Sequence, residues 1–269
     1  MSHHYSLAYL TVGDLEPSAQ VYVAAAAGYE YVGLRPIPMG LPSEPRLDLP
    51  HDRDLLEACR VALAETGVRV WDIELARVMA GIDYDSYLPA LEVGAELGAI
   101  TLLASVWTED LGEQVDGLGR VAELAGRFGL RVVAEFVALS AIQTPEQMSR
   151  LVREVGAPNL GILIDVYHWM RAGASLVDIA ALPPQWLPML HLCDCSSETP
   201  PDSEALRVEV RERRLYVGEG DAPIPALVAA LPADAVLAIE QPNLARLRTL
   251  GDTEYATRCL AAARATIPA

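Results

Sequence analysis

Apolar residues along this chain follow two alternating rhythms. Short runs rich in Val, Ile and Leu are each followed by a turn signal. Then comes a longer Ala- and Leu-rich stretch whose apolar positions return with helical spacing. The short runs predict strands at 6–12, 29–35, 68–75, 99–105, 130–136, 160–166, 187–193 and 235–241. The longer stretches, such as LLEACRVALAETG at 55–67, LPALEVGAELG at 88–98 and VAELAGRFG at 121–129, predict amphipathic helices. Most of the short runs are apolar at consecutive rather than alternate positions, as strands covered on both faces are. Strand–helix alternation repeated eight times in 269 residues predicts a parallel sheet closed into a (β/α)8 barrel. No Gly/Ser linker or composition break divides it, so one domain over 1–269 is expected. An open doubly wound sheet is the alternative that shares this alternation.

Four successive strands of the second half break their apolar pattern at the end. Glu135 ends VVAE, Asp165 ends LGILID, His191 lies in LPMLHL and Glu240 in VLAIE. Charge there is costly unless it is paired or bound to an ion. In a barrel these positions converge on the C-terminal mouth, where active sites are built. Three carboxylates and one imidazole form a hard, oxygen-rich donor set for one divalent ion. Mn2+ or Mg2+ suits it, with Co2+ or Zn2+ also compatible. Such an ion would hold a substrate's carbonyl and neighbouring hydroxyl, acidify the C–H between them and stabilise the resulting enediolate. Glu135 and Glu240 come from strands separated by two others, so one could remove a proton and the other return it to the opposite face. The plainer reading is that these glutamates only pair with arginines at the mouth.

Composition narrows the chemistry. The net charge of −17 opposes binding to nucleic-acid backbones. No apolar run approaches a membrane span and the MSHHYS start lacks a signal peptide's pattern. Cys59, Cys193, Cys195 and Cys259 show no disulfide framework or zinc spacing, which predicts reduced thiols and a cytoplasmic protein. All 20 basic residues are Arg. With no Lys, Schiff-base chemistry and a phosphate-loop lysine are excluded, and carbonyl polarisation falls to a metal ion, Arg, His or hydrogen-bond donors.

The motifs AEF at Glu135, DVYH at 165–168, HLCD at 191–194, VGEGDAPI at 217–224 and IEQ at Glu240 together resemble the xylose isomerase-like TIM barrels. That group contains sugar isomerases and epimerases, inosose and 3-dehydroshikimate dehydratases, and it resembles endonuclease IV. The resemblance implies that Glu135, Asp165, His191 and Glu240 hold one divalent ion, Mn2+ first. It implies that Glu135 and Glu240 form the acid/base pair and that His168 contacts a substrate oxygen. It also implies an arginine upstream of the glycine turn that contacts substrate; Arg214 is the nearest match, with Arg211 the alternative. In the ketose 3-epimerases a further glutamate follows the first metal glutamate by six residues, where this chain has Ala141.

Three more features bear on the mouth. Glu74 closes the predicted third strand and could bind substrate hydroxyls, orient a ligand or sit in an ion pair. Asp194 reads either as a partner of the ligand shell or as a loop cap. The segments 36–50 and 194–221 follow strands two and seven, so both belong to the catalytic face, and the Gly218/Gly220 turn could receive a phosphate. Together these readings point to a metal-dependent isomerase or epimerase acting on a small polyhydroxylated keto compound. The alternatives are a dehydratase of a keto-cyclitol or 3-dehydroshikimate-like substrate, or a non-catalytic sugar-binding or complex subunit. A homo-oligomer would fit the family, whereas an endonuclease would need more metal ligands than the mouth offers.

Overall fold

A computed structural model describes residues 3–13, 15–40, 44–45 and 47–267. Its eight strands are β1 (Tyr5–Leu7), β2 (Tyr31–Leu34), β3 (Arg69–Val78), β4 (Thr101–Val106), β5 (Arg131–Glu135), β6 (Leu160–Asp165), β7 (Met189–Leu192) and β8 (Val236–Ile239). They pair in parallel in sequence order, and β8 returns to β1, so the chain is a single closed (β/α)8 barrel, as the alternation predicts.

The helices outside begin and end where local chemistry says they should. Arg53–Thr66 starts on Asp52, whose carboxylate accepts from the amides of Asp54 and Leu55, and stops at Gly67, which takes a left-handed conformation. Pro145–Val155 opens with a Thr144/Gln147 capping box and Pro at its first turn. Leu111–Arg127 buries Leu118, Val121, Ala122, Leu124 and Ala125 against the barrel and leaves its charged residues outside.

Side-chain alternation along the strands sets up the site. A layer inside the barrel contains Val133, Leu163, Met189 and Ala238. Two residues further along the same strands, and so on the same face, stand Glu135, Asp165, His191 and Glu240. An apolar plug therefore floors a polar mouth.

Six strands keep within two residues of their predicted bounds, and two depart further. β1 stops at Leu7, because Tyr9–Thr11 form a 3-10 turn in which Thr11 Oγ1 donates to the Ile239 carbonyl and accepts from the Gln241 amide. β3 does not close at Glu74 but runs on to Val78. Its pairing with β4 shifts between Ile73 and Ala76, which places Glu74 and Leu75 in an irregular stretch.

Candidate metal centre

Each of the four strand-end residues is placed by its strand. Asp165 pairs in register with His191, His191 with Ala238, and Glu135 with Leu163. Glu240 is the first residue beyond β8, and its amide donates to the Leu192 carbonyl. One ligand atom from each of Glu135, Asp165, His191 and Glu240 lies within 4.8 Å of all the others, and all four residues are buried. His191 Nδ1 stands 3.7 Å from Glu135, 3.8 Å from Asp165 and 3.4 Å from Glu240. Neither His191 nitrogen nor Glu135 Oε1 has a hydrogen-bond partner among the described residues. Buried polar atoms are rarely left so. A divalent ion among them would satisfy the orphaned atoms, so the residues fit a metal site.

Arg214 also enters this cluster. It is fully buried, and one terminal nitrogen lies 2.6 Å from Asp165 Oδ2, 3.0 Å from Glu240 Oε2 and 3.1 Å from the Glu240 carbonyl. Its Nε donates to Val210, and its guanidinium stacks on Tyr167 at 5.3 Å. Arg211, on the preceding turn, is exposed and does not join it.

The charges divide the two glutamates. Burial pushes Glu135 up to about 7, with His191 opposing it and Asp165 and Glu240 adding to the effect. Burial acts on Glu240 too, but His191 and Arg214 outweigh it and hold this carboxyl below its ordinary range. His191 is driven the other way: burial disfavours its charge, yet Glu240 and Glu135 raise its pKa well above the ordinary value.

His168 follows Asp165 by three residues, and its amide donates to Asp165 Oδ1, the N-cap of a short helix. Its Nδ1 accepts from the Ala138 amide, so a neutral ring carries its proton on Nε2. Burial lowers its pKa to about 4, which keeps the ring neutral at physiological pH.

Two acids stand on the β3 side. Glu74 lies near enough to Glu240, His191 and Glu135 to feel their charges, and burial raises it to about 7 against the pull of Arg35. Asp72, two residues earlier, escaped the sequence reading. It is 1% exposed, and neither carboxylate oxygen has a hydrogen-bond partner among the described residues. Burial, with Glu74 adding to it, raises Asp72 to about 7. Its carboxylate lies across Gly33 of β2, where a Cβ would stand 2.7 Å from Oδ2. The available signal was the D-x-E alternation in WDIEL, opposite a glycine. Arg35, at the end of β2, also escaped notice.

Asp194 does not face the cluster. Oδ1 accepts from the amides of Cys195 and Ala222, and Oδ2 from Gly218, so this carboxylate staples the loop after β7. That also answers the phosphate expectation. A Cβ on Gly220 would collide with Asp194 Oδ1, so the glycine turn already wraps a carboxylate of its own chain. Of the 36–50 segment, residues 41–43 and 46 lie outside the described residues. The rest lines a groove of ≈ 770 Å³ beside the mouth, bordered by Pro36, Ile37, Glu44, Arg77 and Tyr87. The groove flanks the quartet rather than containing it.

Solved structures with this architecture cover almost the whole chain. The zinc-bound IOLI protein superposes with a TM-score of 0.81 at 16% identity, covering 98% of each chain. D-allulose 3-epimerase from Methylomonas sp., in complex with D-allulose, gives 0.71 at 18% identity, covering 98% of this chain and 97% of its own. AsbF from Bacillus anthracis, a probable 3-DHS dehydratase involved in petrobactin synthesis, gives 0.74 at 15%, covering 97% and 99%. No curated protein matches the chain. The sequence model of one family does, over residues 21–248, and it is described as a xylose isomerase-like TIM barrel. The chain belongs to that family.

Proposed function

We propose that the protein is a divalent-metal-dependent isomerase or epimerase of a small polyhydroxylated keto compound. The observation that carries this reading is the cluster of Glu135, Asp165, His191 and Glu240 with its orphaned His191 nitrogens. These four side chains would hold the ion, Mn2+ first, with Co2+, Mg2+ or Zn2+ fitting the same donors. When bound, it would polarise a substrate carbonyl and so acidify the adjacent C–H.

The chain's own groups then divide the labour. Glu240, held ionised by His191 and Arg214, takes the proton from carbon. Glu135, across the barrel on β5, is the carboxyl that burial raises, and it returns a proton to the other face from the oxygen that does not hold the ion. Neutral His168 donates from Nε2 to a substrate oxygen. Arg214 aligns Asp165 and Glu240, and the apolar floor below them excludes water.

A dehydratase is the second reading, and Glu74 favours it. Its carboxyl is held near 7 beside the quartet, so it could protonate a leaving hydroxyl once the α-proton is gone. Ala141, where ketose 3-epimerases carry a sugar-binding glutamate, points the same way. The relatives include both outcomes by name, an epimerase and a probable dehydratase.

The test is proton exchange. Metal-loaded protein is incubated in D2O with ketoses, keto-cyclitols and 3-dehydroshikimate, then followed by NMR and absorbance. Deuterium beside the carbonyl without loss of water supports the isomerase or epimerase. Loss of water with a new chromophore moves the assignment to the dehydratase. A protein that takes up no divalent ion sinks both.

A further inference from the structure

Arg35 is a nearly enclosed cation whose guanidinium is only loosely engaged among the described residues. Its side chain is 5% exposed. The guanidinium lies 4.1 Å over the Tyr9 ring. Its nearest carboxylates are Glu74 at 3.4 Å and Glu44 at 3.6 Å, both beyond the usual 2.7–3.2 Å of a hydrogen bond. Nε has no partner among the described residues. A buried guanidinium presents a planar fork of five N–H groups, and a fork left this loosely engaged is suited to a carboxylate in the two-point geometry that Arg prefers.

Its position puts it beside the reaction centre. Arg35 stands one residue past β2, and the chain after it is tied to β3 where Ile37 donates to the Glu74 carbonyl and accepts from Leu75. Glu74, itself buried, lies near enough to Glu240, His191 and Glu135 to feel their charges. Glu44, the looser partner, accepts from the Met39 and Gly40 amides and also lines the groove that flanks the mouth. The guanidinium thus stands between the site on one side and the Glu44 carboxylate on the other.

We infer that Arg35 receives a carboxylate of the substrate, on the fork that Glu44 and Glu74 engage only loosely. The substrate class narrows accordingly, to polyhydroxylated keto compounds bearing one carboxylate rather than neutral sugars. A phosphate fits less well. It would bring a second negative charge between Glu44 and Glu74, and the chain has no Lys to meet it. This inference rests on the quartet being the reaction centre, because only then is Arg35 at the substrate.

Binding tests it without turnover. Calorimetry on the full chain would compare quinate and gluconate with the neutral probes myo-inositol and fructose, and with inorganic phosphate. Wild type should bind the carboxylates more tightly than the neutral polyols. Arg35→Gln should weaken quinate binding at least tenfold, while Glu44→Gln, which keeps an acceptor for the Met39 and Gly40 amides but removes a negative charge beside Arg35, should tighten it several-fold. Neither variant should change myo-inositol binding. Tighter binding of phosphate than of quinate, equal losses for charged and neutral probes, weaker quinate binding in Glu44→Gln, or no carboxylate binding by wild type would each overturn the inference. Divalent-ion uptake, measured on the same samples, separates the two ideas. If the variants take up the ion normally and only the carboxylate pattern fails, Arg35 is misassigned and the proposed function stands. If wild type takes up no ion, the proposed function fails first.

Discussion

Asp72 offers the sharpest quantitative test of how this barrel handles charge. Its carboxyl is held at about 7 instead of the ordinary 3.8. The folded protein therefore keeps a proton that the unfolded chain releases throughout that window. Because the folded pKa is the higher one, stability falls as pH rises from 3.8 towards about 7, and it levels off above the folded pKa. Asn is nearly isosteric with the protonated acid and does not titrate, so Asp72→Asn removes this cost. Its advantage over wild type should be close to zero near pH 3, about 2 kcal/mol near pH 5 and about 4 kcal/mol near pH 8. The last figure is a ceiling, since water reaching the site would reduce it. Burying the new amide adds an offset that does not vary with pH, so the informative quantity is the slope of the difference. Urea unfolding of both proteins across this range, with a chelator present so that no ion biases the folded state, measures it. A difference that stays flat between about pH 4 and 8 would refute the claim that Asp72 is buried without a partner.

Four further outcomes follow from the same geometry. Glu240→Gln should lower deuterium exchange at least about 100-fold and weaken divalent-ion binding, checked by NMR and calorimetry; unchanged exchange removes Glu240 from the reaction. His168→Ala should leave ion content after dialysis unchanged by elemental analysis while lowering kcat/KM about 10- to 100-fold, and loss of the ion instead would make it a ligand. Gly33→Ala places a methyl group 2.7 Å from the Asp72 carboxylate and should cost about 1–3 kcal/mol in denaturant unfolding, less in an Asp72→Ala background. Because Glu135 is held near 7, uptake of a divalent ion should release protons near pH 6 and fewer near pH 9, read by calorimetry in buffers of different ionisation enthalpy.

The barrel was legible because strand and helix periods do not resemble each other, and eight repeats leave little freedom in topology. The convergence of Glu135, Asp165, His191 and Glu240 was legible for a related reason: each interrupts an apolar strand at one position of the repeat. Arg214 could be narrowed to a cationic run but no further. Whether it or Arg211 reaches the cluster depends on where the Ser203–Glu212 helix ends, and Arg213 bridges to Asn243 just beyond it. Asp194 was ambiguous because a carboxylate after a strand looks the same whether it meets a substrate or three backbone amides. Asp72 and Arg35 were hidden by irregularity. The register slips between Val32 and Gly33 and between Ile73 and Ala76, and no two-residue count along β3 reports which way a side chain points beyond such a slip.

What the sequence could not convey at all is the charge balance. Five buried acids (Asp72, Glu74, Glu135, Asp165 and Glu240) share the mouth with His191, Arg214 and Arg35. Arg214 enters from the β7–β8 side and grips Asp165 and Glu240, and Glu240 stays ionised there. On the β2–β3 side Arg35 touches its two carboxylates only loosely, and Glu74 rises to about 7 in spite of it. Asp72 and Glu135 rise likewise, Asp72 with both carboxylate oxygens and Glu135 with Oε1 lacking a hydrogen-bond partner among the described residues. His191 and Arg214 therefore polarise a ring of similar side chains, leaving Glu240 at β8 ionised while the carboxyls at β3 and β5 are raised. In the proposed reaction a keto substrate set between them would meet a base on one flank and acids on the other, which is how two glutamates at equivalent strand ends could take opposite roles.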